Sequence, residues 1–234
     1  MILCIETATP LCSAAICSKG TTVAVRESAD GKPHSTLLTV FISELLEETR
    51  LKVSDLDGVA VSCGPGSYTG LRIGVSVAKG IAYGSSIPLI GIETTHSMFH
   101  GFRESFDSKY SFQKGDLFCP LLDARRMEVY NAVYTYDGEL IRNICAEIID
   151  ENSFGEFPGN ARIFFFGDGA SKLDGIISRG KSIIEKEFRI SATYMASPAY
   201  NALINKEFRD VAYFEPFYLK DFIATTPVKK IPGL

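Results

Sequence analysis

Two histidines stand at a spacing that can bind a metal ion. His96 and His100 form an H-x-x-x-H pattern in a helical segment, so both imidazoles fall on one helical face. A carboxylate, Glu6, ends the first apolar run. A nuclease of the ribonuclease H type would place two more carboxylates beside it, yet the fourth strand-like run ends in Ser62 and Cys63. The set of residues for that chemistry is therefore incomplete.

The glycine-rich stretch "CGPGSYTGLRIG", residues 63–74, lies between a predicted strand and a predicted helix, where such turns often bind phosphate. A P-loop needs a lysine directly after its last glycine, but Leu71 follows Gly70. The spacing is also one residue longer than the G-x-G-x-x-G dinucleotide fingerprint, and three strands and a helix precede it. In a third interpretation, Gly or Ala at every fourth position from 70 to 82 forms a ridge that another element can approach closely.

Composition excludes several classes of protein. The 234 residues are 46% hydrophobic with a formal net charge of −4, so no global basic field attracts the chain to nucleic acid. The six cysteines include no C-x-x-C pair, which argues against a zinc knuckle or a redox motif. No signal peptide is evident, and no apolar run is long enough to cross a bilayer. We therefore expect a cytoplasmic protein that does not bind membranes.

The order of apolar runs predicts an α/β protein with two lobes. Strands are predicted at 2–6, 12–18, 21–28, 57–63 and 88–93, and helices at 35–49 and 69–84. A second series of strands starts at residue 117. This order matches the actin-like ATPase (ribonuclease H-like) fold, in which an antiparallel βββ meander opens the mixed sheet of each lobe. We predict an N-terminal lobe over 1–100 and a smaller C-terminal lobe over 101–234, with a hinge near 101–116.

Two helices of the first lobe carry more apolar surface than one sheet can cover. Helix 35–49 has a wide apolar stripe, and helix 69–84 carries the glycine–alanine ridge. We expect the surplus surface to bind a partner protein. The predicted interface consists of Leu37, Leu38, Phe41, Leu45, Gly70, Leu71, Gly74, Val75, Ala78 and Ala82. The alternative, that the ridge packs only on the chain's own sheet, stays open at this point.

Motifs along nearly the whole chain point to one family. In order they are "ILCIETATPLCSAAI", "HSTLLTVFISELL", "GPGSYTGLRIGVSVAKGIA", "IPLIGIETT", "LLDARRMEVYNAVY", "GDGA" and "PFYLKDF". This series resembles the TsaB family, also called YeaZ. The resemblance implies a non-catalytic scaffold that pairs with the catalytic subunit TsaD and the ATPase TsaE, or with a second copy when alone. It implies a role in modifying adenosine 37 of tRNAs that read codons beginning with A, with tRNA bound indirectly through the complex.

The resemblance also bears on metal and nucleotide sites. In TsaD-like proteins the first histidine of a metal-binding pair lies two residues closer to the glycine that matches Gly91, and two residues rotate a helix by about 200°. We therefore assign no metal to His96 and His100, and no catalytic residue to the chain. The weak candidates for nucleotide binding are Thr7, Gly167, Asp168 and Gly169. No cofactor is expected, except ATP or ADP at a partner interface. The alternative is a small-molecule kinase, an ATPase or a metal-dependent glycoprotease-type enzyme.

Two charged sites within these motifs are further candidates for binding an anion. Arg125 and Arg126 could contact an acidic partner or a tRNA phosphate, although solvated arginines are the simpler interpretation. Near the end of the chain, Lys220 follows Tyr218 and Leu219 where the family usually has Y-L-R. Lysine keeps the charge but loses the bidentate fork of arginine.

Overall fold

The computed structural model describes residues 1–177 and 180–219, which form two five-stranded mixed sheets. In the first sheet, β1 (Ile2–Glu6), β2 (Cys12–Ser18) and β3 (Thr21–Ser28) form an antiparallel meander. Strand β4 (Gly58–Gly64) lies parallel to β1, and β5 (Leu89–Glu93) lies parallel to β4. The strand order is β3-β2-β1-β4-β5. All five residues of β1 are buried, as expected for the central strand of a covered sheet.

The second sheet repeats this connectivity. Strands β6 (Leu117–Asp123), β7 (Glu128–Thr135) and β8 (Leu140–Ile148) form the antiparallel meander. Strand β9 (Arg162–Phe166) is parallel to β6, and β10 (Lys181–Glu185) is parallel to β9. The order β8-β7-β6-β9-β10 is therefore the order of the first sheet again. Two lobes of this design confirm the predicted actin-like fold.

Among the described residues, four α-helices cover the sheets. Helices α1 (His34–Thr49) and α2 (Tyr68–Ser85) pack on one face of the first sheet. Helix α4 (Ala196–Asn205) packs on the other face of that sheet through its alanines. Helix α3 (Thr94–Tyr110) packs on the second sheet, where its phenylalanines meet those of β6 and β9. Within the described residues, no helix has both the length and the hydrophobicity needed to span a membrane.

The structure departs from the sequence-based expectations in the second half of the chain. The predicted hinge at 101–116 is wrong in its first part, because α3 continues to Tyr110 through a polar but helical segment. Strand β10 was not predicted. The chain then returns to the first sheet, although the predicted division counts these residues with the second lobe. Helix α4 makes one part of this contact, and two backbone hydrogen bonds add to it. The Arg209 amide donates to Leu89 O (2.8 Å), and the Phe217 amide donates to Cys63 O (2.7 Å).

Candidate functional site

The glycine block joins β4 to α2 and brings the start of α2 against the turn that follows β1. A Cβ atom at Gly70 would lie 2.0 Å from the carbonyl oxygen of Thr7, and one at Gly74 would lie 2.3 Å from Thr7 Oγ1. The Thr7 hydroxyl donates to Gly70 O at 2.8 Å. Ser67 caps the helix, because its Oγ accepts from the Gly70 amide at 3.3 Å. The glycines therefore allow a helix to approach the chain's own first strand.

This packing corrects the predicted partner interface. Eight of the ten proposed residues are buried by the chain itself, namely Leu38, Leu45, Gly70, Leu71, Gly74, Val75, Ala78 and Ala82. Only Leu37 and Phe41 are half-buried and so retain surface for another molecule. The glycine–alanine ridge faces inward because a helix over a sheet must bury the side that can approach the strands most closely. The interpretation that the ridge packs on the chain's own sheet is the one that the structure supports.

A second stripe on α2 faces outward. Ile73 and Val77 are half-buried, while Gly80 and Gly84 are exposed. Cβ atoms built on the two glycines would have no neighbour within 4 Å in the part of the chain that the structure describes. These four positions are spaced by four, three and four residues, as in the contact line between two packed helices. Tyr83, beside this stripe, is 81% exposed. The spacing is visible in the sequence, but the regular Gly and Ala positions from 70 to 82 form the stronger pattern, and that ridge is internal.

Helix α1 adds apolar surface of its own. Val40 is 48% exposed, and Leu37 and Phe41 are half-buried at the edge of the core. We call the combined surface the outer helical face. It consists of Leu37, Val40, Phe41, Ile73, Val77, Gly80, Ile81, Tyr83 and Gly84. An apolar surface on two neighbouring helices is typical of a protein–protein contact.

The four weak nucleotide-binding candidates are engaged by the chain. Thr7 is fully buried and bonded to α2, as described above. Gly167 has a positive φ of 112°, and a Cβ there would lie 2.3 Å from Leu121 O. The Gly169 amide donates to the same Leu121 carbonyl at 3.1 Å. Asp168 Oδ1 accepts from the Asp123 amide at 3.0 Å. The turn at 167–169 is thus held against the end of β6, in the second lobe, and Thr7 lies in the first.

The two histidines of α3 contact each other. Their Nε2 atoms are 3.1 Å apart, and both side chains are half-buried. Burial lowers the pKa of His100 to about 4 and also lowers the pKa of His96. Both rings are therefore neutral at pH 7, so one ring N–H donates to the other ring. In the part of the chain that the structure describes, no three His, Cys, Asp or Glu side chains are placed to hold a metal ion.

Glu6 is a fully buried carboxyl group at the end of β1. Its Oε1 accepts from the Ala8 amide at 2.7 Å, whereas Oε2 has no hydrogen-bond partner among the described residues. Burial, with a smaller contribution from the charge of Asp168 in the second lobe, raises the pKa of Glu6 to about 7. The amide of Ala8 lowers the pKa, but by less than burial raises it. Glu6 therefore titrates near neutral pH, unlike an ordinary glutamate.

We expect Glu6 to make stability depend on pH. Because the pKa is about 7 in the folded chain and near 4.5 when unfolded, the free energy of unfolding should fall as pH rises through this range. The loss amounts to about 3 kcal/mol at most. Glu6→Gln should flatten this dependence in urea denaturation between pH 5 and 8. Glu47→Gln, an exposed site on α1, should not. Equal slopes for wild type and Glu6→Gln would contradict the assignment.

Tyr218 lies beside the first turn of α2. The Arg72 Nε donates to Tyr218 Oη at 3.1 Å, and the Arg72 guanidinium stacks 4.0 Å from the ring centre of Tyr68. This contact fixes the end of the described chain on the first lobe. Lys220, the departure from the usual Y-L-R motif, lies outside the described residues.

Comparison with known proteins agrees with the motifs. Residues 27–227 match the family model described as "TsaD: tRNA N6-adenosine threonylcarbamoyltransferase". The protein "tRNA threonylcarbamoyladenosine biosynthesis protein TsaB" of Escherichia coli is 34% identical over 137 residues, 58% of this chain and 55% of that protein. The protein of the same name from Haemophilus influenzae is 26% identical over 99% of this chain and 97% of its own length. The chain belongs to the TsaD family, and within it to the TsaB (YeaZ) proteins.

The fold is shared with solved TsaB (YeaZ) structures. A Pseudomonas aeruginosa protein described as similar to peptidase YEAZ superposes with a TM-score of 0.81 at 22% identity. The match covers 94% of this chain and 99% of that one. The resemblance to the TsaB family and the predicted fold class are both confirmed.

Proposed function

We propose that this chain is a non-catalytic scaffold subunit in the biosynthesis of tRNA threonylcarbamoyladenosine. It binds and activates a TsaD-type transferase, together with a TsaE-type ATPase. The complex modifies adenosine 37 in tRNAs that read codons beginning with A. The chain holds no cofactor of its own, and any ATP or ADP binds where subunits meet. Membership of the TsaB (YeaZ) proteins and the names of the relatives support this pathway.

The observation that carries the proposal is the pair of exposed glycines on α2. Glycine inside a helix costs about 1 kcal/mol relative to alanine; Gly80, in the interior of α2, bears this cost, and Gly84, in the last turn, bears a smaller one. Packing among the described residues offers no reason for either glycine, because none of their atoms lies within 4 Å of the Cβ positions. A helix of another subunit would supply the reason, since glycines allow backbones to approach closely. The adjoining apolar residues of the outer helical face would be buried by the same contact.

The partner on this face is a TsaD-type subunit. The family model that matches this chain is named for the transferase, so the two subunits share a family and comparable helices can pack on each other. When the TsaD-type subunit is absent, a second copy of this chain occupies the outer helical face as a homodimer. One surface cannot hold both partners at once, so the two assemblies compete.

The test is co-expression with the TsaD-type protein of the same organism, followed by size-exclusion chromatography. The two chains are expected to elute together in one peak. Purified transferase with the other components is expected to modify tRNA only when this chain is added. Separate elution at micromolar concentrations, together with modification that does not need this chain, would refute the proposal.

A further inference from the structure

The loop between β6 and β7 has an unusual backbone. Arg125 and Arg126 both have positive φ angles, 71° and 49°. The left-handed conformation costs a residue with a side chain roughly 1–2 kcal/mol, and asparagine and glycine tolerate it better. Two consecutive arginines are therefore an unfavourable choice for this turn on local grounds. Backbone strain of this kind is typical of functional positions, so we expect the two arginine side chains to have a function that outweighs its cost.

Bonds at the base of the loop hold its conformation. The Ala124 amide donates to Glu128 O at 3.1 Å, and the Arg125 amide donates to Asp123 Oδ1 at 2.6 Å. Lys172 Nζ donates to the same Asp123 oxygen at 2.6 Å and to Glu128 O at 2.7 Å. Lys172 therefore offsets the charge of the Asp123 carboxylate. The backbone is fixed before any ligand arrives.

The two guanidinium groups are free to bind something else. Both arginines are exposed, and neither guanidinium forms a hydrogen bond or an ion pair with another described residue. Five N–H donors in a planar fork suit the oxygens of a phosphate. Because they are on adjacent residues, the two forks can contact the same phosphate or successive ones. Simple solvation would account for exposed arginines, but it gives no reason to place them at two left-handed positions.

We infer that the Arg125–Arg126 turn binds phosphate groups of the RNA backbone. This inference rests on the proposed function, which makes a tRNA the polyanion that the complex meets. The overall charge of −4 requires any such contact to be local, and a rigid pair of guanidiniums is a local site. Contacts of this kind position the RNA without reading its sequence. The chain thus contacts tRNA directly, rather than only through its partner.

The experiment compares three forms of the chain in complex with the TsaD-type subunit. Arg125→Asn/Arg126→Asn removes both charges and suits the left-handed backbone, while Arg125→Lys/Arg126→Lys keeps the charges without the forks. The Kd for unmodified tRNA is measured between 50 and 200 mM salt by fluorescence anisotropy. We expect the Asn pair to weaken binding about tenfold and to reduce the slope of log K against log salt by about 1 to 2. The melting temperature of the Asn pair should be unchanged or higher. The Kd of the Lys pair for tRNA should lie between those of the wild type and the Asn pair.

The possible outcomes separate this inference from the proposed function. An unchanged Kd and an unchanged salt slope for the Asn pair would overturn the RNA contact. The RNA contact would also be overturned if the Asn pair bound the TsaD-type subunit more weakly but bound tRNA with normal affinity. The arginines would then contact an acidic protein surface. In both cases the wild-type complex still forms and still modifies tRNA, so the proposed function survives. A wild-type chain that binds neither the subunit nor tRNA would refute both.

Discussion

Gly70→Ala is expected to destabilise the fold by about 3 kcal/mol or more, whereas Gly80→Ala should leave it unchanged or stabilise it by about 1 kcal/mol. Both residues lie on α2, and both changes add one methyl group. At Gly70 that methyl would meet the carbonyl oxygen of Thr7 at 2.0 Å. This atom belongs to the backbone next to the central strand, so it cannot move aside as a side chain can. At Gly80 the methyl would meet nothing within 4 Å.

Urea denaturation followed by circular dichroism measures both variants directly. The decisive quantity is the difference in urea midpoint between Gly70→Ala and Gly80→Ala. It reports stability if the unfolding free energies of the two variants have similar slopes against urea concentration. Gly74→Ala provides an intermediate case, because its Cβ would meet the hydroxyl of Thr7 rather than a backbone atom. Equal effects at positions 70 and 80 would show that the glycine–alanine ridge does not pack on the first sheet.

The regular elements of the first lobe could be predicted from the sequence. Strands β1, β2 and β3 have the predicted bounds, α1 begins one residue earlier than predicted, and α2 extends one residue further at each end. The reason is physical: apolar runs between turn signals and a clear 3.6-residue period leave little choice of structure. The wide apolar stripe of α1 was located correctly, but Leu38 and Leu45, which were assigned to the partner interface, are buried by the chain itself.

The second half was harder because its patterns are weaker. The last turns of α3 are polar, so they resembled a linker, yet Phe102 and Phe106 anchor them to the aromatic core of the second lobe. Strand β10 is five residues long and lies at the edge of the described sheet beside β9, and its sequence "KSIIE" shows too little alternation to identify it. Tertiary pairing, rather than local preference, determines both elements.

Only part of the candidate site on α2 could be predicted from the sequence. The residue types correctly indicated that α2 approaches something closely, but two stripes of α2 carry small residues. Gly70 and Gly74 belong to the inner stripe, and Gly80 and Gly84 to the outer one. The sequence shows that both stripes carry small residues, but it does not show which of the two stripes packs on the sheet. That choice depends on where β1 and the turn at Thr7 lie, which is information about contacts distant in sequence.

The second large effect is expected at the outer helical face. Gly80→Leu places a bulky side chain where a partner helix would approach, while the fold has room for it because no atom of the described residues lies within 4 Å of the Cβ. A clash at the centre of an interface is expected to weaken binding about 100-fold or more. Asn201→Leu is the matched control, since it adds the same exposed side chain to α4, away from this face. Neither variant should lower the melting temperature.

The most direct test is therefore the Kd of the chain for the TsaD-type subunit, measured for wild type, Gly80→Leu and Asn201→Leu by sedimentation velocity. We predict that Gly80→Leu loses binding about 100-fold while Asn201→Leu binds as wild type does. If Gly80→Leu binds with unchanged affinity, the outer helical face is not the docking surface and the account is wrong.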